Sequence, residues 1–159
     1  MKMQTVIVIS DSHGNKADVD KLRPLVAEND YIIHLGDGAN DMVDLYREFP
    51  DKVYVCNGNC DGWGSRIAGD EWEIEVGNHK IFCCHGHKYR VKSTLEELKR
   101  EARARGCDIA LYGHTHEKRI DEEEGLFVVN PGTMSKYAYK SYCYLVLTDQ
   151  KVVATLVDC

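Results

Sequence analysis

The feature that most constrains this chain is an unbroken apolar strand pattern near its start. Residues 5–10 read Thr-Val-Ile-Val-Ile-Ser, and the run stops abruptly at Asp11. The core of the run is β-branched, and no polar side chain alternates with it, so it predicts a strand buried on both faces. A strand of that kind is typical of a sheet covered by helices.

The pattern that follows alternates between helix and strand. The predicted strands are residues 5–10, 31–35 and 53–56, and the predicted helices are residues 17–29 and 41–49. Pro24 indicates a kink or a late start in the first helix, and Pro50 ends the second. This β-α-β-α-β order favours a parallel α/β arrangement.

The second half of the chain changes to a pattern dominated by strands. Trp72, Ile74 and Val76 alternate with acidic residues, and Gly77-Asn78 predicts a hairpin turn into a strand over residues 80–84. Further strands are predicted over residues 109–112, 127–130, 142–147 and 152–157, the last two forming a hairpin.

One helix is predicted within this second half. Ser93-x-x-Glu96 predicts a capping box, and the helix it begins ends near Gly106. The chain shows no internal repeat and no linker composition, so residues 1–159 are expected to form a single domain. The expected fold class is α/β, with two packed β-sheets flanked by helices in an α/β/β/α sandwich.

Charge and hydropathy exclude several classes of protein. The chain has 20 Lys and Arg against 26 Asp and Glu, a net charge of −6, so nonspecific binding to nucleic acid or anionic membrane is not expected. No stretch approaches the roughly 20 apolar residues that span a bilayer. Residues 6–9 are too short for a signal peptide.

The seven cysteines show no C-x-x-C spacing, which excludes a zinc ribbon or a thioredoxin motif. They are therefore expected to be free thiols in a reducing, cytoplasmic setting, most of them buried as small hydrophobic side chains.

Five short polar motifs each follow a predicted strand. They are Asp11-Ser12-His13, Gly36-Asp37-Gly38, Gly58-Asn59-Cys60-Asp61, His85-Gly86-His87 and Gly113-His114-Thr115-His116. In open α/β sheets the crevice beyond the carboxyl ends of the strands is the usual ligand site. The motifs are therefore expected to converge on one site.

The residue types in these motifs indicate metal binding. Mixed nitrogen and oxygen donors suit Mn²⁺, Fe, Ni²⁺ or Zn²⁺ better than Ca²⁺. Asp11 and His13, two residues apart, are able to chelate one ion, as are His114 and His116. The donors outnumber what one ion needs, and two ions about 3.5–4 Å apart, bridged by one carboxylate, would use them all. His34 and His79 lie outside the motifs and are expected to be structural or exposed.

The order of these motifs resembles that of the calcineurin-like metallophosphoesterase superfamily. The similarity runs from Asp11 to His116 and continues in Asn130-Pro131-Gly132-Thr133, and it is strongest toward small single-domain bacterial and archaeal phosphodiesterases. It implies a first metal ion held by Asp11, His13 and His116, and a second held by Asn59, His85 and His114. Asp37 would bridge both. Mn²⁺ is the metal expected first, with Ni²⁺, Fe, Zn²⁺ or Mg²⁺ as alternatives.

The resemblance also implies a reaction. A hydroxide bridging the two ions would attack a small phosphate ester in line, and no protein nucleophile is needed. The side chains expected to take part in catalysis are those of Asp37, Asn59, His114, Cys60 and Asp61. Many superfamily members have Gly-Asn-His-Glu where this chain has Cys60 and Asp61. A thiol is a poor general acid, so activated aryl diesters are the expected substrates; the alternative is that Cys60 fills space beside Asn59.

Two other functions remain open at the sequence level. The superfamily resemblance includes a scaffold subunit of an endosomal coat, so a non-catalytic binding module is the alternative to an enzyme. Nuclease activity is disfavoured because there is no basic stripe. An aromatic and basic cluster of Lys136, Tyr137, Tyr139 and Lys140 indicates an edge or an interface before it indicates substrate contact. Exposed edge strands favour a homo-oligomer.

Overall fold

A computed structural model describes residues 2–62 and 65–159 of the chain. Its strands are β1 (Gln4–Ile9), β2 (Tyr31–His34), β3 (Val53–Cys56), β4 (Ala68–Gly69), β5 (Glu71–Val76), β6 (His79–Cys84), β7 (Ile109–Leu111), β8 (Arg119–Glu123), β9 (Leu126–Asn130), β10 (Ser141–Leu147) and β11 (Val152–Asp158). Its helices are α1 (Lys16–Asp20), α2 (Arg23–Glu28), α3 (Val43–Glu48) and α4 (Glu96–Ala104), with 3₁₀ turns at Ala39–Met42 and His87–Tyr89.

The strands form two sheets. Within the described residues, six strands pair in the order β11-β10-β1-β2-β3-β4, and five pair in the order β5-β6-β7-β9-β8. β1, β2 and β3 are parallel neighbours, as are β6, β7 and β9. Both sheets therefore gather several carboxyl ends at one edge.

Both faces of β1 are buried, as its apolar run predicts. Val6 and Val8 pack between the two sheets, in a cluster that includes Ile81 and Ile109 of the second sheet. Ile7 and Ile9 point the other way and pack against residues of α1, α2 and α3. α4 covers the outer face of the second sheet through Leu98 and Ala102. The predicted α/β/β/α sandwich is confirmed.

Both predicted hairpins form, and Pro24 interrupts the first predicted helix as expected. Val76 pairs with His79 across Gly77 and Asn78, and Leu147 pairs with Val152 in the second hairpin. The helix predicted over residues 17–29 is two short helices, because the chain turns between α1 and α2 and Pro24 lies in the first turn of α2.

Two predictions about local structure are wrong or incomplete. The Ser93-x-x-Glu96 capping box does not form: α4 begins at Glu96, its N-cap is Leu95, and the Thr94 Oγ1 instead accepts a hydrogen bond from the Glu96 N–H at 3.2 Å. The strands β4 and β8 were not predicted. β4 has only two residues, and β8 is an edge strand rich in charge, so neither carries an apolar pattern.

The thiols are distributed as expected. All seven cysteines are free; five are buried, and Cys60 and Cys159 are exposed. None of the helices in the described part of the chain has the length and apolar character needed to cross a bilayer.

Candidate metal centre

The loops after β1, β2, β6 and β7 are tied together by backbone hydrogen bonds. The Asp11 N–H donates to the Gly36 carbonyl at 3.0 Å, and the His13 N–H donates to the Asp37 carbonyl at 2.9 Å. The Gly113 N–H donates to the His85 carbonyl at 2.9 Å. Two further contacts join the sheets: His85 Nδ1 lies 2.8 Å from the Leu35 carbonyl, and the His114 N–H donates to Asp11 Oδ2 at 3.0 Å. Side chains from both sheets therefore meet in one crevice beyond the strand ends.

Asp11, His13 and His116 form the first group of donors, which we call the outer cluster. His116 Nε2 lies 3.2 Å from Asp11 Oδ1 and 3.3 Å from His13 Nε2, and His13 Nε2 lies 3.7 Å from Asp11 Oδ1. Two donor atoms bound to one ion at about 2.1 Å each stand about 3.0–3.4 Å apart. The two distances from His116 lie in that range, and the 3.7 Å between His13 and Asp11 is slightly wider.

The hydrogen bonds of the Asp11 carboxylate indicate whether a cation fits in the outer cluster. Its Oδ2 accepts hydrogen bonds from Ser10 Oγ at 2.5 Å and from the His114 N–H at 3.0 Å. Its Oδ1 is buried and has no hydrogen-bond partner within the described part of the chain. A buried carboxylate oxygen without a donor is costly, and a cation in the cluster would satisfy it.

Asp37, His85 and His114 form the second group, which we call the inner cluster. His85 Nε2 lies 3.1 Å from His114 Nδ1 and 3.3 Å from Asp37 Oδ2. His85 Nδ1 faces the Leu35 carbonyl at 2.8 Å and must donate to it. In a neutral ring this leaves the Nε2 lone pair directed at the cluster, the arrangement typical of a metal-ligating histidine.

Asp37 lies between the two clusters. Its Oδ2 is 3.3 Å from His85 Nε2 and 3.8 Å from His13 Nε2, so one oxygen faces both groups. Its Oδ1 accepts the Cys60 N–H at 2.7 Å. Burial alone would raise the pKa of Asp37, but the adjacent His85 imidazole and the hydrogen bond from the Cys60 backbone outweigh it and hold the pKa well below its usual range. Asp37 is therefore ionised throughout the neutral range.

Asn59 and Cys60 lie at the open side of the crevice. Both are exposed, and the Asn59 amide nitrogen lies 3.6 Å from Cys60 Sγ. The Cys60 sulfur, a nitrogen of His13 and an oxygen of Asp37 lie within 4.8 Å of one another. Partial burial and the nearby Asp37 carboxylate raise the pKa of the Cys60 thiol. Cys60 is thus a protonated thiol beside the centre.

Asp61 is bonded to the backbone of two neighbouring loops, and its part in catalysis stays a prediction. Its carboxylate accepts four backbone N–H bonds, from Asp37 at 2.8 Å, Gly38 at 2.9 Å, Ala39 at 3.1 Å and Gly58 at 2.7 Å. Burial would raise the pKa of Asp61, and these four donors lower it. The carboxylate joins the loops after β2 and β3, so Asp61 positions Asp37.

The backbone at the clusters is unusual. Among the described non-glycine residues, seven have positive φ, and five of these are proposed ligands: Asp11 at 54°, His13 at 45°, Asp37 at 59°, His114 at 70° and His116 at 65°. The left-handed conformation is disfavoured for residues with a side chain, and such strain gathers at functional sites.

A buried network under the clusters could not be foreseen from the sequence. The Gly36 N–H donates to His34 Nδ1, so the His34 Nε2–H donates to Ser12 Oγ at 2.8 Å, and Ser12 Oγ donates to Asp41 Oδ2 at 2.6 Å. Burial lowers the pKa of His34 to about 4, which keeps the ring neutral. His34 is structural, as expected, and the only sequence signal for Ser12 was its place between Asp11 and His13.

Residues 130–133 form hydrogen bonds to the loops that follow β1 and β7. Asn130 Nδ2 donates to the Gly113 carbonyl at 3.2 Å and to Thr115 Oγ1 at 2.9 Å. Thr133 Oγ1 donates to the Asp11 carbonyl at 2.8 Å. The segment supports the ligand loops and supplies none of the clustered donors.

The remaining predicted groups lie elsewhere. His79 is buried and bonded to Asp108, at 2.6 Å, and to the Thr148 carbonyl. Tyr137 and Tyr139 are almost fully exposed in the loop before β10, beside Lys136, whose ammonium lies 5.5 Å from the Tyr137 ring.

Known proteins share both the sequence pattern and the fold of this chain. The model of the calcineurin-like phosphoesterase superfamily domain matches residues 3–151. A probable metallophosphoesterase of Bacillus subtilis is 31% identical over 155 residues, which cover 95% of this chain and 88% of the relative. A phosphodiesterase of Methanocaldococcus jannaschii is 27% identical over 149 residues, covering 82% of this chain and 84% of that protein.

Two solved structures are similar over nearly the whole chain. A conserved uncharacterised protein from Streptococcus pneumoniae, described as a predicted phosphoesterase, superposes with a TM-score of 0.86 at 27% identity, covering 99% of this chain and 91% of that one. Vacuolar protein sorting 29 from Cryptosporidium parvum superposes with a TM-score of 0.74 at 21% identity, covering 99% and 98%. The second likeness concerns the fold alone.

Proposed function

Because this chain belongs to the calcineurin-like phosphoesterase superfamily, we propose that it is a metal-dependent phosphodiesterase with a dinuclear centre. Asp11, His13 and His116 would hold one ion. Asn59, His85 and His114 would hold the other, with Asp37 shared between them. The observation that carries the proposal is the buried Oδ1 of Asp11, which has no hydrogen-bond partner among the described residues and faces the His116 and His13 nitrogens.

The donor set supports divalent transition metals. Imidazole nitrogen and carboxylate oxygen suit Mn²⁺, Fe, Ni²⁺ or Zn²⁺ without choosing among them; the family resemblance makes Mn²⁺ the first metal to test, with Mg²⁺ as a further alternative. When bound, two such ions supply a hydroxide at neutral pH by lowering the pKa of water, and they neutralise charge on the phosphoryl oxygens. In the reaction supplied in this way, oxygen from water would become bonded to phosphorus, one ester P–O bond would break, and the leaving oxygen would take up a proton from water. The products are a phosphomonoester and an alcohol.

The protein's own groups fix this geometry. The low pKa of Asp37 keeps its carboxylate ionised. Leu35 fixes the tautomer of His85 through the Nδ1 hydrogen bond, and Asp61 holds the backbone that carries Asp37. Cys60 lies beside His13 and Asp37, where its thiol donates weakly. This favours diesters whose leaving group needs little protonation.

The test is a hydrolysis screen of phosphomonoesters and phosphodiesters by stripped protein reloaded separately with Mn²⁺, Ni²⁺, Mg²⁺ and Zn²⁺. Asp37→Asn removes the shared carboxylate, and activity should fall by about a thousandfold or more, since the bound ions contribute several kcal/mol. Asp51→Asn, which changes an exposed aspartate outside the clusters, is the matched control. Full activity in Asp37→Asn would refute the dinuclear assignment.

A non-catalytic scaffold with the same fold is the second candidate, favoured by the likeness to a vacuolar sorting protein. Metal content separates the two. An enzyme should bind two equivalents of metal per chain and hydrolyse diesters, whereas a scaffold should remain inert when loaded and purify with a stable partner. A cytoplasmic location, a single domain over residues 1–159 and a homo-oligomer stay predictions.

A further inference from the structure

Two separate cavities are each lined in part by the loop of residues 57–62. The first, which we call the Cys60 cavity, has a volume of about 310 Å³, and its lining includes His13, Asp37 and Cys60. The second, which we call the His87 cavity, has a volume of about 370 Å³ and its lining includes Asn59 and His87. Each borders residues assigned to the metal centre and is large enough for one small ester arm.

His87 has no part in either donor cluster. Its ring centroid lies 5.4 Å from that of His85 and 6.2 Å from that of His114, so it stands beside the inner cluster. Its nitrogens do not fall within the group formed by Asp37, His85 and His114. The function proposed above leaves this imidazole unused.

The surroundings of the His87 ring indicate which of its two nitrogens carries the proton. His87 Nδ1 is buried and without a hydrogen-bond partner among the residues that the structure describes. A buried N–H without an acceptor is rarer and costlier than a buried lone pair, so the proton resides on Nε2. His87 therefore offers an Nε2–H donor to the cavity that it lines.

The other side chains that line the His87 cavity, among the residues that the structure describes, are also polar. Lys88 and Asp70 line it and form a long ion pair at 3.4 Å between exposed groups, and Asn57 and Asn59 contribute amides. Within the described part of the chain, no aliphatic side chain lines this cavity. Ligand pockets usually have mainly apolar walls, so this lining suits a hydroxylated group.

We infer that the His87 cavity binds the retained arm of the phosphodiester, and that this arm is a polyhydroxylated alcohol such as a glyceryl or sugar group. The inference rests on the proposed phosphodiesterase function. The leaving arm occupies the Cys60 cavity, beside the thiol. His87 Nε2–H and the Lys88 ammonium donate hydrogen bonds to hydroxyl oxygens of the retained arm. His87 and Lys88 are thus specificity-determining residues.

The experiment compares two esters that differ only in the retained arm. The metal-loaded protein is given 2,3-dihydroxypropyl 4-nitrophenyl phosphate and propyl 4-nitrophenyl phosphate, and release of 4-nitrophenolate is followed. The 2-hydroxyl of the glyceryl ester can also attack phosphorus itself, releasing 4-nitrophenolate as a cyclic phosphate forms. ³¹P NMR of the products therefore restricts the comparison to the hydrolysis that yields the phosphomonoester, in which oxygen from water forms the new P–O bond and the aryl P–O bond breaks in both esters. The protein should prefer the glyceryl ester in kcat/KM by about tenfold, the value of one to two hydrogen bonds.

Variants assign the preference to the cavity. His87→Ala and Lys88→Ala should each reduce the ratio to about twofold to threefold, and His87→Gln, which keeps an N–H donor, should restore part of it. Lys136→Ala, in an exposed loop that lines neither cavity, should leave the ratio unchanged. An equal rate for the two esters, or a ratio that survives both alanine variants, would overturn the inference.

Product binding separates failure of this inference from failure of the proposed function. Calorimetry measures the affinity of the metal-loaded protein for glyceryl phosphate and for propyl phosphate. Tighter binding of glyceryl phosphate, lost in His87→Ala, supports the polar-arm site even if no ester is hydrolysed. Equal binding of both refutes the site, whether or not the protein is an active phosphodiesterase.

Discussion

The inner and outer clusters use the same donor types but differ in burial. In the inner cluster the His85 side chain is fully buried and Asp37 is 4% exposed, whereas in the outer cluster His13 and His116 are 31% and 43% exposed. Buried donors held by other hydrogen bonds are already in place for an ion, whereas exposed imidazoles must be ordered when the ion binds. His85 and Asp37 are therefore the rigid part of the inner cluster, and His13 and His116 are the adaptable part of the outer one.

The largest predicted effect separates the two clusters directly. A metal titration of stripped protein should show a tight class and a weak class of site. His85→Gln should weaken the tight class by more than about 100-fold, because it removes a buried ligand, whereas His116→Gln should affect mainly the weak class. Calorimetry on both variants measures this. Equal losses from both classes in both variants would show that the clusters do not differ in rigidity.

A glycine substitution tests the outer cluster through its buried aspartate. A Cβ at Gly113 would lie 2.1 Å from Ser10 Oγ and 2.7 Å from Asp11 Oδ2, so Gly113→Ala must displace the Asp11 carboxylate. We expect about a tenfold to hundredfold loss of affinity for the outer ion and a stability cost of about 1–3 kcal/mol. Metal titration and thermal unfolding measure the two effects.

The control for that substitution is Gly125→Ala. Gly125 has a positive φ of 78°, but a Cβ there would meet only open space, so its cost should fall on stability alone. If Gly113→Ala bound both ions normally, Asp11 would not be a ligand of the outer ion.

A smaller effect is expected at Cys60, whose sulfur lies near His13 of the outer cluster and near Asp37, which lies between the two clusters. Cys60→His would place a better proton donor near the leaving oxygen and should raise kcat/KM for diesters with poor leaving groups by about tenfold, a modest part of general acid catalysis. A series of aryl and alkyl diesters tests this. Cys159→His, at the other exposed cysteine, is the control. An unchanged dependence on leaving group would show that Cys60 only fills space.

The smallest effect on activity is expected at His79, remote from both clusters. Burial would lower the pKa of His79, but the hydrogen bonds to Asp108 and to the Thr148 carbonyl raise it, with Asp149 adding to the field. Because the folded-state pKa is raised, this stabilisation is present in full below about pH 6.5 and is lost as pH rises through the folded-state value.

His79→Gln should therefore cost about 1–2 kcal/mol of unfolding free energy at pH 5.5 and less at pH 8. Denaturant unfolding at the two pH values measures it. Metal binding by both clusters of His79→Gln at pH 8 should match that of the unaltered protein. This control distinguishes a loss of overall stability from an effect on the metal centre. A cost independent of pH would show that His79 does not stabilise the fold through its positive charge.

The fold was predictable where side-chain pattern and burial agree. The apolar run of β1 predicted a strand covered on both faces, and Gly77-Asn78 predicted a hairpin, because both signals are local. β8 was missed since its exposed, charged residues carry no strand pattern. The capping box failed because the loop before α4 lets Thr94, not Ser93, reach the first turn.

The sequence predicted which donor residues would lie close together, but it did not predict the residues that hold them in place. Each motif follows a strand end, so convergence of Asp11, Asp37, His85, His114 and the other donors follows from topology. The position of Asp61 among four backbone N–H groups, and the chain from His34 through Ser12 to Asp41, depend on contacts between distant loops. Which ligand residues bind metal stays a prediction.

The left-handed backbone at five proposed ligands has a consequence for engineering. Glycine would adopt those conformations without the penalty of roughly 1–2 kcal/mol that a left-handed side-chain residue carries. A sequence optimised for folding alone would therefore favour glycine at positions such as Asp11, His13 and His116, and would lose its metal donors in doing so. Thermostability selections on this protein should accordingly drift toward inactive variants unless metal binding is selected at the same time.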